Sequence, residues 1–437
     1  MNSKSNIIYL VTILLLISNC SLDTKTGLWS NSEKIKLEND KIEIIFKDAE
    51  ILEKEFNPNI KINLKDNFKK NSFVGNLTNN NGIVDFNGSL KNISKYKFSK
   101  ISQFDSYQPE LLITNKKSLI FFDDKGSILN FDNNKKLIWK TNIYSKLEKK
   151  SKPKLYFSSN DNILIVTDSL ANYYALDIIN GNLIWVKKNS APFNSQIKIL
   201  NNKFFVVDFE NILRCFSMKD GSEVWNYKTE KSFIKSQQKL SLIIKNDKLV
   251  FINTLGDLSS IDINTGNLVW QTPTQSSSIY ENYFSLKNSD IIYENEMIYF
   301  SNNKNNFFGI DFNNGTIRWK QSINSNLRPT FVDGLILTIT LEGYLVAIDS
   351  RNGNILRITS IFDKIKNYKK KGIKPIGFVV VKDKIFLSLN NGRLLIIDTL
   401  TGKPMDIIKI DNKKISRPYF LDNDMFVIVD NAILKLN

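Results

Sequence analysis

From about residue 110 to the C-terminus the chain alternates short apolar runs with polar, turn-rich breaks, and no helix-length periodic segment interrupts the pattern. One stretch shows the unit. Asn162 to Thr167 is a short β-branched run, Tyr173 to Asp177 a second and Leu183 to Lys187 a third, with turns between them. Such runs predict strands joined by tight hairpins.

The unit repeats. Gly181 to Trp185, Gly221 to Trp225, Gly266 to Trp270 and Gly315 to Trp319 all read Gly-x-x-x-Trp. With 18 Gly and six Trp in 437 residues, chance placement gives roughly 0.25 such pairs. Degenerate copies lie at Lys135 to Trp139, Gly353 to Arg357 and Gly402 to Asp406. The steps between copies, 38 to 49 residues, match a four-stranded propeller blade. Asp177, Asp262, Asp311, Asp349 and Asp398 each stand four residues before the glycine, where a carboxylate accepts turn amides and glycine supplies the positive φ that closes the hairpin. The pair fixes register, so Trp139, Trp185, Trp225, Trp270 and Trp319 emerge on one face and wedge against the neighbouring blade. Pro109, Pro153, Pro329, Pro375 and Pro418 precede apolar runs, a position suited to a residue without an amide donor.

After the seventh hairpin three more strands follow and the chain stops. A fourth taken from around Ser89 to Ser99 completes a last blade and removes the open sheet edges. The expectation is an all-β, eight-bladed β-propeller of four-stranded antiparallel blades, closed by strands from both chain ends. It spans 86–437, after a signal peptide (1–19) and an N-terminal tether and lead-in (20–85).

Composition removes several chemistries. The chain has no His, which excludes Ser-His-Asp and Cys-His nucleophilic machinery and His-liganded metal sites. No metal site and no cofactor is predicted. The net charge of +16 raises nucleic acid as a partner, but Lys and Asn abundance reads as drift, and no block of interleaved Arg and aromatics forms a nucleic-acid groove. Lys364, Lys366, Lys369, Lys370, Lys371 and Lys374 crowd one connection, either a solvated run or a contact for anionic headgroups. Cys215 sits in an alternating apolar run and reads as a core thiol.

Lys4 followed by the apolar run Ile7 to Ile17 has the layout of a signal peptide. Its end, Ile17-Ser18-Asn19-Cys20, resembles the bacterial lipoprotein processing box, with Asn19 in place of the usual small residue. That resemblance implies lipidation of Cys20, and Ser21 after it implies transport to the outer membrane.

At the Gly-x-x-x-Trp hairpins, the Cys20 box, the short last blade and the lead-in Lys41 to Lys65 with Ser72 to Asn76, the chain resembles the outer-membrane assembly lipoprotein B family of the β-barrel assembly machinery, within the pyrroloquinoline-quinone-like propellers. The resemblance implies a non-catalytic periplasmic scaffold, anchored in the outer membrane by lipid. Its implied partners are the barrel-inserting subunit and nascent outer-membrane proteins. It further implies partner contacts at Phe233, Ile234 and Lys235, where Lys235 stands near the family's Arg, and at Asn288 and Asp290, where one carboxylate of an Asp-x-Asp is an amide. Quinone-dependent dehydrogenases share the Trp hairpins but usually add a metal beside the quinone and a vicinal disulfide. A lipoprotein propeller serving another envelope partner is the third reading.

Overall fold

The computed structural model of the chain describes residues 54–64, 79–102, 104, 109–229, 238–274, 286–362 and 372–437. Eight antiparallel sheets follow one another in chain order. Blades 1 to 7 span Leu112–Thr141, Leu155–Lys188, Lys198–Lys228, Leu242–Thr272, Ile292–Gln321, Thr330–Ser360 and Pro375–Lys409. Blade 8 takes three strands from Tyr419–Leu436 and its outermost from Ile93–Lys97, which pairs antiparallel with Ala432–Leu436. The ring therefore closes with strands from both chain ends. Its one helix among the described residues, Lys146–Lys150, carries a capping box between Ser145 and Glu148.

Local chemistry explains the hairpins. Asp177 Oδ1 accepts the amides of Ile179 and Asn180, and Asp262 Oδ1 those of Asn264 and Thr265. The abundant Asn also has a use, because Asn201, Asn211, Asn246, Asn295 and Asn305 take the left-handed turn positions that few other residues tolerate.

The blades are joined through one recurring contact. Trp139, Trp185, Trp225, Trp270 and Trp319, each on an outermost strand, donate Nε1 to carbonyls of Ile178, Met218, Ile263, Phe312 and Ser350 in the next blade, at 3.0–3.1 Å. Each ring lies over that blade's hairpin glycine, so a Cβ on Gly181, Gly221, Gly266, Gly315 or Gly353 would strike it. Arg357 replaces Trp in blade 6. It is fully buried and its guanidinium donates to the carbonyls of Thr399, Leu400 and Ile60. Tyr96 does the same from the closing strand, its hydroxyl donating to the Asn133 carbonyl of blade 1 at 3.2 Å. Cys215 is buried, opposite Trp225 in the sheet, and burial pushes its thiol up to about 12.

The N-terminal lead-in is woven into the ring. Phe56 exchanges both backbone hydrogen bonds with Ile358 on the outer edge of blade 6, and the Ile62 amide donates to Leu400. Further on, Ile83–Val84 pairs parallel with Val380 and Val381 of the first strand of blade 7, and so lies inside the ring. Phe86 then packs edge-on against Phe386 and Phe420, filling the seam between blades 7 and 8 together with Leu90.

Candidate functional site: the mouth of the axial channel

The first strands of the blades surround the axis, and the residues entering those strands form a funnel of about 700 Å³. Several of these entering residues are charged and sit beside proline, as in Pro109-Glu110, Arg328-Pro329 and Arg417-Pro418. The proline ends the connection without needing a ladder partner, and its neighbour is left facing the axis. Lys239, Lys287, Arg328, Lys374, Lys414 and Arg417 line the funnel against two carboxylates, Glu110 and Asp290.

The carboxylates are paired. Asp290 accepts from Arg328, with Nε at 2.6 Å, and Glu110 accepts from Lys239 and lies 3.6 Å from Arg328. Burial alone would raise the Asp290 carboxyl, but the Arg328 guanidinium with Lys239 holds it well below the usual carboxylate range. Glu110 is also lowered, its burial outweighed by Lys239 and Arg328.

Beneath this ring the lead-in runs along the inner edges of blades 3 to 7. Asn80, fully buried, donates from Nδ2 to the carbonyls of Leu242 and Ile291 at 2.9 Å, and lies 3.1 Å from both Gln196 Oε1 and Ser241 Oγ. Its Oδ1 accepts from Lys198 Nζ at 2.5 Å. Asn81 continues across to the Phe331 amide and carbonyl and to Glu294. One residue thus links blades 3, 4 and 5, and the next reaches blade 6. Burial, with Arg328 nearby, pulls the Lys198 ammonium down to about 7, while Asp290 and Glu110 act in the opposite sense.

Of the partner residues expected from the sequence, Asn288 and Asp290 lie at this mouth. Asn288 exchanges hydrogen bonds with the Gln238 side chain, which ties the connection after Trp225 to the connection after Trp270. Asp290 belongs to the ion network rather than standing as an isolated rim charge. Phe233, Ile234 and Lys235 lie outside the described residues, as do Cys20, Lys364, Lys366, Lys369, Lys370 and Lys371. Lys374 is exposed on the funnel wall. Sequence reading passed over Glu110, Lys239, Arg328, Arg417 and Asn80. The repeated charge beside proline was the available signal for three of them.

A family model for outer membrane protein assembly factor BamB matches residues 124–359, more than half of the chain. The chain belongs to the BamB family. No curated protein sequence matches it. Among solved structures, BamB from Moraxella catarrhalis superposes with a TM-score of 0.62 at 13% identity, covering 79% of this chain and 100% of that one. Quinohemoprotein alcohol dehydrogenase from Comamonas testosteroni gives 0.61 at 9% identity, over 85% of this chain and 81% of that one. A europium-containing methanol dehydrogenase gives 0.60 at 10% identity, over 82% and 89%. At such identities the likeness extends to the fold, which BamB and these dehydrogenases share.

Proposed function

We propose that the protein is a non-catalytic scaffold of the outer-membrane β-barrel assembly machinery. Anchored in the outer membrane through lipidated Cys20 and facing the periplasm, it holds the barrel-inserting subunit at the funnel rim and assists folding and insertion of outer-membrane proteins. The observation that carries this reading is the lead-in segment bound along the inner edges of the blades. Asn80 and Asn81 bind the inner edges of blades 3 to 6 below the mouth, so on that side the wall an eight-bladed ring would offer to a cofactor is covered by the protein's own chain. What stays open is a wide rim where two connections are tied together at Gln238 and Asn288, and Phe233, Ile234 and Lys235 stand just before Gln238 in the first of them. Apolar residues in a polar connection, flanked by charge, suit an interface with an apolar centre. Membership in the BamB family supports the same assignment.

The test is purification of the tagged full-length protein from its own membranes. Recovery of the barrel-inserting subunit in near-equal amount is expected. A preparation that carries quinone absorbance and no barrel protein would overturn the scaffold in favour of a dehydrogenase. Recovery of a different envelope protein in its place would assign the propeller to another assembly.

A further inference from the structure

Charge in the funnel does not balance. Its lining holds six cations and two carboxylates, an excess of four positive charges, and both carboxylates are already engaged by Lys239 and Arg328. Arg417 has no such partner. Among the described residues no carboxylate pairs with it, its Nη2 reaches only the Phe378 carbonyl at 3.4 Å, and its buried Nε has no hydrogen-bond partner. Arg417 is half-buried; partial burial and a second guanidinium nearby oppose its charge, Asp290 and Glu110 favour it from a distance, and its buried Nε keeps an unused donor. Burial and Arg328 draw Arg417 down to about 10, which still leaves it charged at neutral pH.

The surroundings keep room for this side chain. Gly377 lies on the neighbouring blade, and a Cβ there would sit 2.5 Å from the Arg417 Cβ. Gly377 does not occupy the left-handed region, so space for Arg417, and not backbone conformation, is what favours glycine at this position.

We propose that the funnel is a binding site for a small oxyanion, a carboxylate or phosphate group, with Arg417 as its anchoring guanidinium and Lys287 and Lys374 as flanking cations. The planar guanidinium fork matches two oxygens of such a group, and the unused donors supply the hydrogen bonds. The bound anion also offsets part of the excess charge, which relieves the repulsion between Arg328 and Arg417. The site goes beyond the scaffold reading and does not depend on it.

Calorimetric titration of the purified full-length protein with inorganic phosphate and with succinate, at constant ionic strength, tests the site. Saturable binding of at least one is expected; phosphate alone would assign the site to phosphoryl groups, succinate alone to carboxylates. Arg417→Gln should weaken binding at least about tenfold, the loss of a charged hydrogen-bonding partner. Arg351→Gln, which removes the same charge from an exposed hairpin, should leave affinity unchanged. Without added anion, Arg417→Gln should melt above the wild type, and phosphate should narrow the gap. Absence of saturable binding, equal weakening by Arg351→Gln, or a lower melting temperature for Arg417→Gln overturns the proposal. Should Arg417→Gln not fold, Lys287→Gln with Lys374→Gln decides: weakened binding supports the site and unchanged affinity removes it.

Discussion

The indole of Trp270, on the outer strand of blade 4, covers Gly315 in the hairpin of blade 5: Nε1 donates to the Phe312 carbonyl at 3.0 Å, and a Cβ on Gly315 would fall 2.5 Å from the ring. Donor, ring and glycine form one joint, repeated around most of the ring. Gly315 is also at φ +75°, so alanine there meets both a clash and a strained backbone. Gly315→Ala should cost about 2–4 kcal/mol, and Trp270→Ala about 3–5 kcal/mol. Because both act on one contact, the double variant should lose less than the sum, as a denaturant-unfolding double-mutant cycle would show. Strict additivity would mean that the two residues stabilise the ring separately.

Arg357 is the exception in that series and suggests a different experiment. Its guanidinium reaches Thr399 and Leu400 of blade 7 and also Ile60 of the lead-in. Arg357→Ala should destabilise by about 3–5 kcal/mol, because three buried carbonyls lose their donor and a cavity opens. Arg357→Trp should recover most of the inter-blade joint but not the Ile60 bond. Limited proteolysis should then cut within residues 54–64 sooner than in the wild type while the melting temperature stays close to it. Unchanged cleavage would show that the Phe56–Ile358 and Ile62–Leu400 bonds hold the lead-in without Arg357.

Lys198 gives a pH dependence with a definite sign. Its ammonium, facing Arg328, Asp290, Glu110 and Lys239, is lowered in the folded protein to about 7 from 10.5. The unfolded chain therefore binds more protons between these values. Burying the charged form penalises folding fully below about pH 7, and the penalty falls as pH rises, by up to about 1.4 kcal/mol per pH unit. Asp290 and Glu110, both lowered, are ionised throughout that window and add no slope. Stability measured between pH 6.5 and 9.5 should rise more steeply for the wild type than for Lys198→Met. Parallel profiles would show that the lysine does not titrate there.

The proposed lipid anchor predicts a simple separation. Cys20→Ser should leave soluble protein after cell breakage, since acyl chains contribute about 0.8 kcal/mol per buried methylene and the variant lacks them. Firm membrane association of that variant, followed by fractionation, would point to a second attachment.

The ring was legible because its joints repeat: Gly and Trp recur at one spacing, and the three strands from Arg417 onward announce their missing fourth. Tyr96 and Arg357 were harder to read as joint residues, since each fills the Trp position with a different donor. Asn80 left no trace at all. Its importance comes from hydrogen bonds to residues 116 to 211 positions away, and no local pattern encodes these. The funnel charges lay in view beside prolines, yet pairing such as Asp290 with Arg328 depends on the blades curling round an axis, which only the closed ring provides.

The proposed scaffold role requires the funnel rim to hold the barrel-inserting subunit. Its most direct test is the dissociation constant between the purified full-length protein and that subunit's periplasmic domains, for the wild type and for Phe233→Ala with Lys235→Glu, alongside thermal melting of both. The prediction is saturable binding, weakened by at least about 2 kcal/mol in the double variant with the melting temperature unchanged. A stable double variant that binds as tightly as the wild type, or a wild type that does not bind, would contradict it.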